Sequence, residues 1–556
     1  SGDLTRQLDS NQLPEMGNVW GIDAVAKNAN TAIYGTMSYV SESRLKEGLL
    51  YVGTDDGLVQ VTEDGGKTWT KYEKLPGVPE RAYAATVLAS RHDVNTVYAT
   101  FDNHKMGDFL PYVLKSTNKG STWTAIQSDL PKTGMALIVV EDPLSKDMLF
   151  VGTEFGAFVT LNGGKKWIQL KGGLPSIPIR DIAIQEREQD LVLASFGRGF
   201  YILDDYTPLR SLTDDLVKKE AHIFPVKDPR MYVQRSPLGG DGKGSQGDAH
   251  FTADNPPLGA TVTFYLREAY KTKKQIRKDM EKEIEKKGQA VPYPTQAQLR
   301  TEDDEEAPAV FFVFSDAEGN VVRRVKGSNS AGVQRVTCDL RYPSMRPVGA
   351  SADGSASGWF VVPGRYSVTM VVRQDGNERT IAGPETFTAK TLQTPSMPAK
   401  DPAALSAFQR KAAQLQRAVL ASYDVVRDAK ARVNAMQAAL LQTAGATAEL
   451  HARTTRVEEQ LTAIQRAMTG DETIARRNEN PPPSIDGRLD AVVGSFLSST
   501  AGPTGTQLKA YDIVSEEFAA QLAKLRDVVE QEMPEIEKAM DAMGAPYRSG
   551  RMPDWK

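Results

Sequence analysis

One eight-residue string occurs three times in this chain, and no other feature restricts its fold as much. The first copy is Thr62-Glu63-Asp64-Gly65-Gly66-Lys67-Thr68-Trp69, the second Ser116-Thr117-Asn118-Lys119-Gly120-Ser121-Thr122-Trp123, and the third Thr160-Leu161-Asn162-Gly163-Gly164-Lys165-Lys166-Trp167. Their tryptophans lie 54 and 44 residues apart and account for three of the six in the chain. A repeat of that period marks stacked supersecondary units. Other marks keep the same step. An apolar strand ending in Gly-Thr occurs at residues 49–54 and again at 148–153, and a Leu-Pro pair follows each octet at Leu75-Pro76, Leu130-Pro131 and Leu174-Pro175.

The octet reads as a turn. A hydroxyl residue, then Asp or Asn, then Gly lets a short side chain satisfy backbone N–H groups while Gly takes positive φ. The Trp that follows starts the next strand and buries a large ring. Thr62, Asp64, Gly66, Thr68 and Trp69 are therefore expected to be structural, as are Ser116, Asn118, Gly120 and Trp123 in the second copy and Thr160, Asn162, Gly164 and Trp167 in the third.

These strings resemble the Asp-box, or BNR repeat, of sialidases, xyloglucanases and sortilin-type receptors, all β-propellers. The first copy matches fully; the second and third put Asn in place of Asp, and the third puts Lys in place of Thr. The stretch from Tyr51 to Trp69, with residues 196–205, looks most like the large bacterial sortilin-like proteins, which are often labelled glycosyl hydrolases by analogy.

From residue 33, short alternating apolar runs broken by Gly, Asp and Pro predict many antiparallel strands. Residues 33–212 divide into four blades of about 45 residues, the size usual for propellers. Strands of the first are expected near 34–42, 48–54, 57–61 and 67–73; the other blades span 83–127, 135–170 and 179–212. The fourth has no Trp, and Leu203-Asp204-Asp205-Tyr206 replaces its octet, as a terminal repeat allows. Before the blades, residues 1–32 read as a lead-in segment. After them, residues 213–390 predict a β-sandwich interrupted by a charged helical insertion at 268–306, whose acidic run from Glu302 to Glu306 reads as loop. The string Val336–Pro343 with Pro363–Tyr366 resembles the immunoglobulin-like domain that follows the propeller in the bacterial relatives. A Pro-rich linker at 391–402 leads to a helical bundle over 403–544 and a polar tail at 545–556. The fold class is thus mainly β, with an α-helical C-terminal region.

Composition removes several functions. At net charge −4, with sequence pI near 5.9, no global basic field draws the 556 residues to nucleic acid or acidic lipid. The chain has no run of roughly 18 apolar residues, so no spanning helix is expected. Cys338 is the only cysteine, which rules out an intrachain disulfide. No two of the five histidines, at 92, 104, 222, 250 and 451, stand at ligand spacing, so no zinc site and no cofactor is expected. Calcium in the acidic loops at 102–108 or 302–306 competes with a solvated-charge reading.

In propellers the Asp-box turn lies opposite the usual ligand face. That face is built by turns between the second and third strands, which here offer Asp55, Asp56, His104, Asp108, Glu154, Phe155 and Arg198. Asp55, Asp56 and Glu154 are the candidate catalytic carboxylates, since glycoside hydrolysis needs two facing groups about 5 to 9 Å apart. Asp56-Gly57 is equally what a tight turn requires. Sialidases use three converging arginines; Arg198 alone does not supply them. The expectation is an exported protein, secreted, periplasmic or at the cell surface, whose propeller serves recognition or assembly without catalysis. The alternative is a xyloglucanase-like glycoside hydrolase. A protein, peptide or glycan ligand fits either.

Relatives of the sortilin type have rings of up to ten blades. An arc of four would leave apolar edges uncovered, so the chain is expected to be the C-terminal portion of a split or processed protein, completed by a second polypeptide that carries the missing blades.

Overall fold

The computed structural model describes residues 2–15, 17–24, 34–234, 253–348, 356–392, 397–549 and 551; His250 and the start of the first blade at residue 33 lie outside them. The chain forms two compact units, Ser1–Lys218 and Lys219–Lys556.

The first unit is four β-propeller blades, each an antiparallel meander. Blade one is β1 (Met37–Glu42), β2 (Leu50–Thr54), β3 (Val59–Thr62) and β4 (Thr70–Tyr72), hydrogen-bonded in sequence order. Blade two repeats the order with β5 (Tyr83–Ala89), β6 (Val97–Asn103), β7 (Asp108–Ser116) and β8 (Thr124–Ala125). Blade three does so with β9 (Ala136–Glu141), β10 (Leu149–Thr153), β11 (Gly156–Thr160) and β12 (Ile168–Gln169). Blade four stops at three strands, β13 (Ile179–Gln185), β14 (Asp190–Ser195) and β15 (Phe200–Leu203). Without an octet nothing launches a fourth strand; the chain turns into a 3-10 helix at Thr207–Ser211, where Pro208 is buried.

Each octet is the turn between a blade's third and fourth strands. In the first, Thr62 Oγ1 donates to Asp64 Oδ1 at 2.8 Å and accepts from the Gly66 N–H at 2.9 Å. Asp64 Oδ1 also accepts from the N–H groups of Lys67 and Thr68, and Oδ2 accepts from Thr68 Oγ1 at 2.7 Å. Asn keeps the acceptor half of this set, because Asn118 Oδ1 takes the Thr122 N–H at 2.8 Å and Asn162 Oδ1 the Lys166 N–H at 2.9 Å. The other half adapts. Asn118 Nδ2 donates to Thr122 Oγ1 at 2.9 Å, whereas Lys166, lacking a hydroxyl, makes no such bond. Trp123 and Trp167 are buried; Trp69 is half-buried.

The second glycine of the octet is where the preceding blade sits. A Cβ on Gly120 would meet the Tyr72 ring at 3.0 Å, and one on Gly164 would meet Ile126 Cβ at 2.7 Å. Blade stacking also recurs in register. Val159 pairs with Phe150 and Ala157 with Gly152, and this side of blade three packs on Ile182, Leu191 and Leu193 of blade four. The seam is closed by a buried ion pair: Arg210 Nη2 and the Tyr206 hydroxyl both donate to Asp142 Oδ2 at 2.7 Å. At one rim Glu186 of blade four meets Arg91 of blade two at 2.6 Å and Arg44 of blade one at 3.3 Å.

In the second unit two sheets share one core. One has the order β16 (Ala221–Ile223), β18 (Ala260–Leu266), β21 (Gly332–Cys338). The other runs β17 (Arg230–Met231), β25 (Asn377–Thr391), β24 (Gly364–Gln374), β19 (Ala309–Ser315), β20 (Val321–Gly327). Val262 and Phe264 from the first pack with Phe312, Met370 and Phe387 from the second. A separate hairpin, β22 (Arg341–Pro343) and β23 (Ser357–Phe360), carries Trp359 into the helical core.

The charged insertion holds two helices, α1 (Lys273–Lys286) and α2 (Gln296–Asp303), each opened by a Thr/Gln capping box and neither burying a residue. Arg277 grips Glu302 through two hydrogen bonds of 2.7 and 2.8 Å. Glu302 and Asp303 therefore close a helix, where the acidic run alone reads as loop.

The C-terminal helices are α3 (Pro402–Leu440), α4 (Ala448–Thr469), α5 (Glu472–Ala475), α6 (Ile485–Val493), α7 (Gly505–Asp527) and α8 (Met533–Ala542). Val419, Val433, Leu461, Val514 and Met540 meet in one core. A π turn at Val528–Glu532 joins α7 to α8. Pro534 follows it and can neither donate a backbone hydrogen bond nor tolerate a normal carbonyl four residues back, which accounts for the widened turn.

Candidate functional site

The turns between second and third strands of blades one and two, the start of β13 in blade four and the N-terminal segment enclose a cleft of about 240 Å³. Asp55, Asp102, His104, Arg81, Tyr83 and Arg180 line it. The N-terminal segment is held there by blade one: Leu4 is buried, its carbonyl accepts from the Gln60 side chain, and the Arg6 N–H donates to Asp56 Oδ2 at 2.6 Å.

Of the candidates chosen from the sequence, the cleft unites Asp55 and His104. Asp55 Oδ1 accepts from the N–H groups of Gly35 and Thr36 at 3.0 and 2.8 Å, and Oδ2 from Thr36 Oγ1 at 3.1 Å. His104 Nδ1 lies 2.7 Å from Asp102 Oδ2, and its backbone N–H donates to Asp102 Oδ1 at 2.9 Å. Ser10 lines the same cleft, yet no hydrogen bond joins it to His104 among the described residues. Asp56 is buried beneath the turn, accepting from Thr54 Oγ1 at 2.5 Å. Asp108 accepts from Tyr112 Oη at 2.6 Å and Asn103 Nδ2 at 3.0 Å, which hold its carboxyl below the usual range despite the opposing effect of burial. Glu154 makes no side-chain hydrogen bond among the described residues; Phe155 is exposed, and so is Arg198 between its glycines. None of Asp56, Asp108, Glu154, Phe155 and Arg198 lines the cleft.

Tyr34 and Tyr83 stay protonated above their ordinary range, chiefly because burial disfavours the phenolate; Asp55 adds to it in both. Arg180 stands 5.4 Å from the centre of the Phe196 ring, and Arg81 Nη2 donates to the Pro14 carbonyl at 3.5 Å. The cleft thus offers phenol and guanidinium donors around three carboxylates, Glu15, Asp55 and Asp102, of which Asp55 and Asp102 are engaged by hydrogen bonds. Such a set can orient a polar ligand.

Sequence reasoning missed Arg81, Tyr83 and Arg180. Tyr83 opens β5 and Arg180 is second in β13, so the signal was positional: the start of each blade's first strand reaches the same end as the turns.

Arg91, His92 and Asp93 are each engaged elsewhere, with Glu186, the Asp142 carbonyl and Thr96. Among the described residues no group of three His, Cys, Asp or Glu side chains could hold a metal ion, and no helix is long and apolar enough to cross a membrane.

No family model matches the chain, and no curated protein matches it by sequence. Among solved structures it is similar to the GH74 xyloglucanase from Xanthomonas campestris, at 12% identity and TM-score 0.25, over 31% of this chain and 30% of that one. It is similar also to YCF48 bound to D1 peptide, at 13% identity and TM-score 0.25, over 64% and 82%. A third is the β-propeller domain of Cps50 (Swd1) from Myceliophteria thermophila, at 15% identity and TM-score 0.24, over 30% and 51%. The chain spans less than a third of the length of the xyloglucanase. At these scores the class of the first unit rests on its own four meanders and their turns.

Proposed function

We propose that this chain is a non-catalytic recognition and assembly module, exported from a bacterial cell and built as a sortilin-like Asp-box propeller arc followed by an immunoglobulin-like sandwich and a helical bundle. The observation that supports assembly is the free face of blade four. On β15, Phe200 pairs with Ala194 and Ile202 with Val192, in the register that Ala157 and Val159 hold in blade three. Ala157 and Val159 are 0% and 1% exposed under the next blade, whereas Phe200 and Ile202 are 74% and 59% exposed. A surface patterned for blade stacking and left open fits a further blade, and a second polypeptide would supply it. The cleft beside Arg180 would take the ligand, peptide or glycan. The xyloglucanase-like alternative asks for two free facing carboxylates, and Asp55 and Asp56 are both held by backbone groups.

The test places a photo-crosslinker on Ile202→Cys, expressed in the native host, with the cross-linked peptides sequenced. Peptides bearing another Gly-Thr strand and Asp-box turn are expected. Cross-links confined to blade one of the same molecule would replace the proposal with a self-contained four-bladed ring.

A further inference from the structure

The second unit contains a pocket of about 420 Å³ whose chemistry differs from that of the cleft. Its walls come from strands and helices far apart in sequence: Met231 from β17, Phe360 and Val361 at the end of β23, Leu405 and Gln409 from α3, and the segment around Ser499 before α7. The volume falls in the range of small-molecule sites, roughly 300 to 1,000 Å³. No charged side chain is among the described residues that line it.

Gln409 decides what could sit there. It is only 5% exposed, and its amide forms no hydrogen bond with any described residue. Its neighbour one turn earlier, Ser406, is equally buried but satisfied, since Trp359 Nε1 donates to its hydroxyl at 3.3 Å. That amide lines the pocket with no partner among the described residues, so a complementary group of a ligand can pair with it there in place of water. The Gln amide both donates and accepts, so its best complement is another amide, paired head to head. An apolar body would fill the space against Met231, Phe360, Val361 and Leu405. A charged ligand would be desolvated with no counter-ion.

We propose that this pocket binds a small, neutral, largely apolar molecule ending in a carboxamide, seated on Gln409. The site is independent of the propeller reading, because every lining residue belongs to the second unit.

The test titrates the full chain with hexanamide, hexanoate and butylbenzene by saturation-transfer NMR. Hexanamide is expected to bind at least tenfold more tightly than hexanoate. Gln409→Leu should weaken hexanamide about tenfold, a loss of about 1.4 kcal/mol, while preserving or strengthening butylbenzene. Leu405→Trp, which fills the pocket, should abolish both. Thermal melting of each variant separates lost binding from lost folding, and hexanamide protection of β23 amides from exchange in the unaltered chain gives a readout that needs no variant. Equal affinity for hexanamide and hexanoate, binding that survives Leu405→Trp, or no binding and no protection would each overturn the proposal.

Discussion

Replacing Gly164 by Ala tests whether the repeated turn is a seam between blades or merely a local turn. Gly164 has φ +90°, a region that costs an L-residue roughly 1 to 2 kcal/mol. The added methyl would also lie 2.7 Å from Ile126 Cβ and 2.8 Å from the Ile126 carbonyl oxygen, in the preceding blade. Overpacking of that kind costs roughly 1 to 3 kcal/mol more, so the total is about 2 to 5 kcal/mol. Gly163 is the internal control: its φ is +68°, but a methyl there meets only Asp147 Oδ1 at an ordinary 3.5 Å. Gly163→Ala should therefore lose only the conformational part, about 1 to 2 kcal/mol. Urea-dependent hydrogen exchange of the Val139 and Val151 amides reads the free energy of opening at this seam within the whole chain. If the two variants lose the same free energy, the close approach of neighbouring blades contributes nothing and the seam argument fails.

Three further outcomes follow from buried and paired groups. Asp142→Ala leaves Arg210 without its buried carboxylate, so about 3 to 5 kcal/mol should be lost; a urea midpoint that barely moves would remove the pair from the seam. Glu220 is held at a pKa of about 2, against the usual 4.5, mainly by its hydrogen bonds from Arg379, with Tyr270 assisting. Because the folded value lies below the unfolded one, its contribution is complete above about pH 4.5 and is lost as pH falls toward 2. Glu220→Gln should accordingly lower stability at pH 7 and flatten its dependence between those values; an unchanged acid-unfolding profile would contradict the assignment. Burial pushes the Cys338 thiol up to about 11, so iodoacetamide at pH 8 should leave it unmodified in the folded chain and alkylate it in urea. Prompt alkylation of the folded chain would show that β21 opens.

Much of the blade architecture is legible in the amino-acid sequence, because a propeller blade is specified locally. An octet such as Thr62–Trp69 closes through hydrogen bonds spanning no more than four residues, so composition and spacing suffice to announce it. Inner strands such as β10 read as unbroken apolar runs because adjacent blades cover both faces. What the sequence left open depends on contacts between distant positions. That Asp55 and Asp56 pin the segments carrying Thr36 and Arg6 could not be read from an Asp-Asp-Gly string, which suits a catalytic pair or a turn equally well. The gathering of Tyr83 and Arg180 with Asp102 likewise comes from stacking three blades side by side. Glu302 and Asp303 end a helix because Thr295 caps it and Arg277 holds Glu302, which charge density alone does not reveal. Local turn chemistry is encoded within a few residues of sequence, whereas the burial of a polar group is set by whichever distant surface comes to cover it.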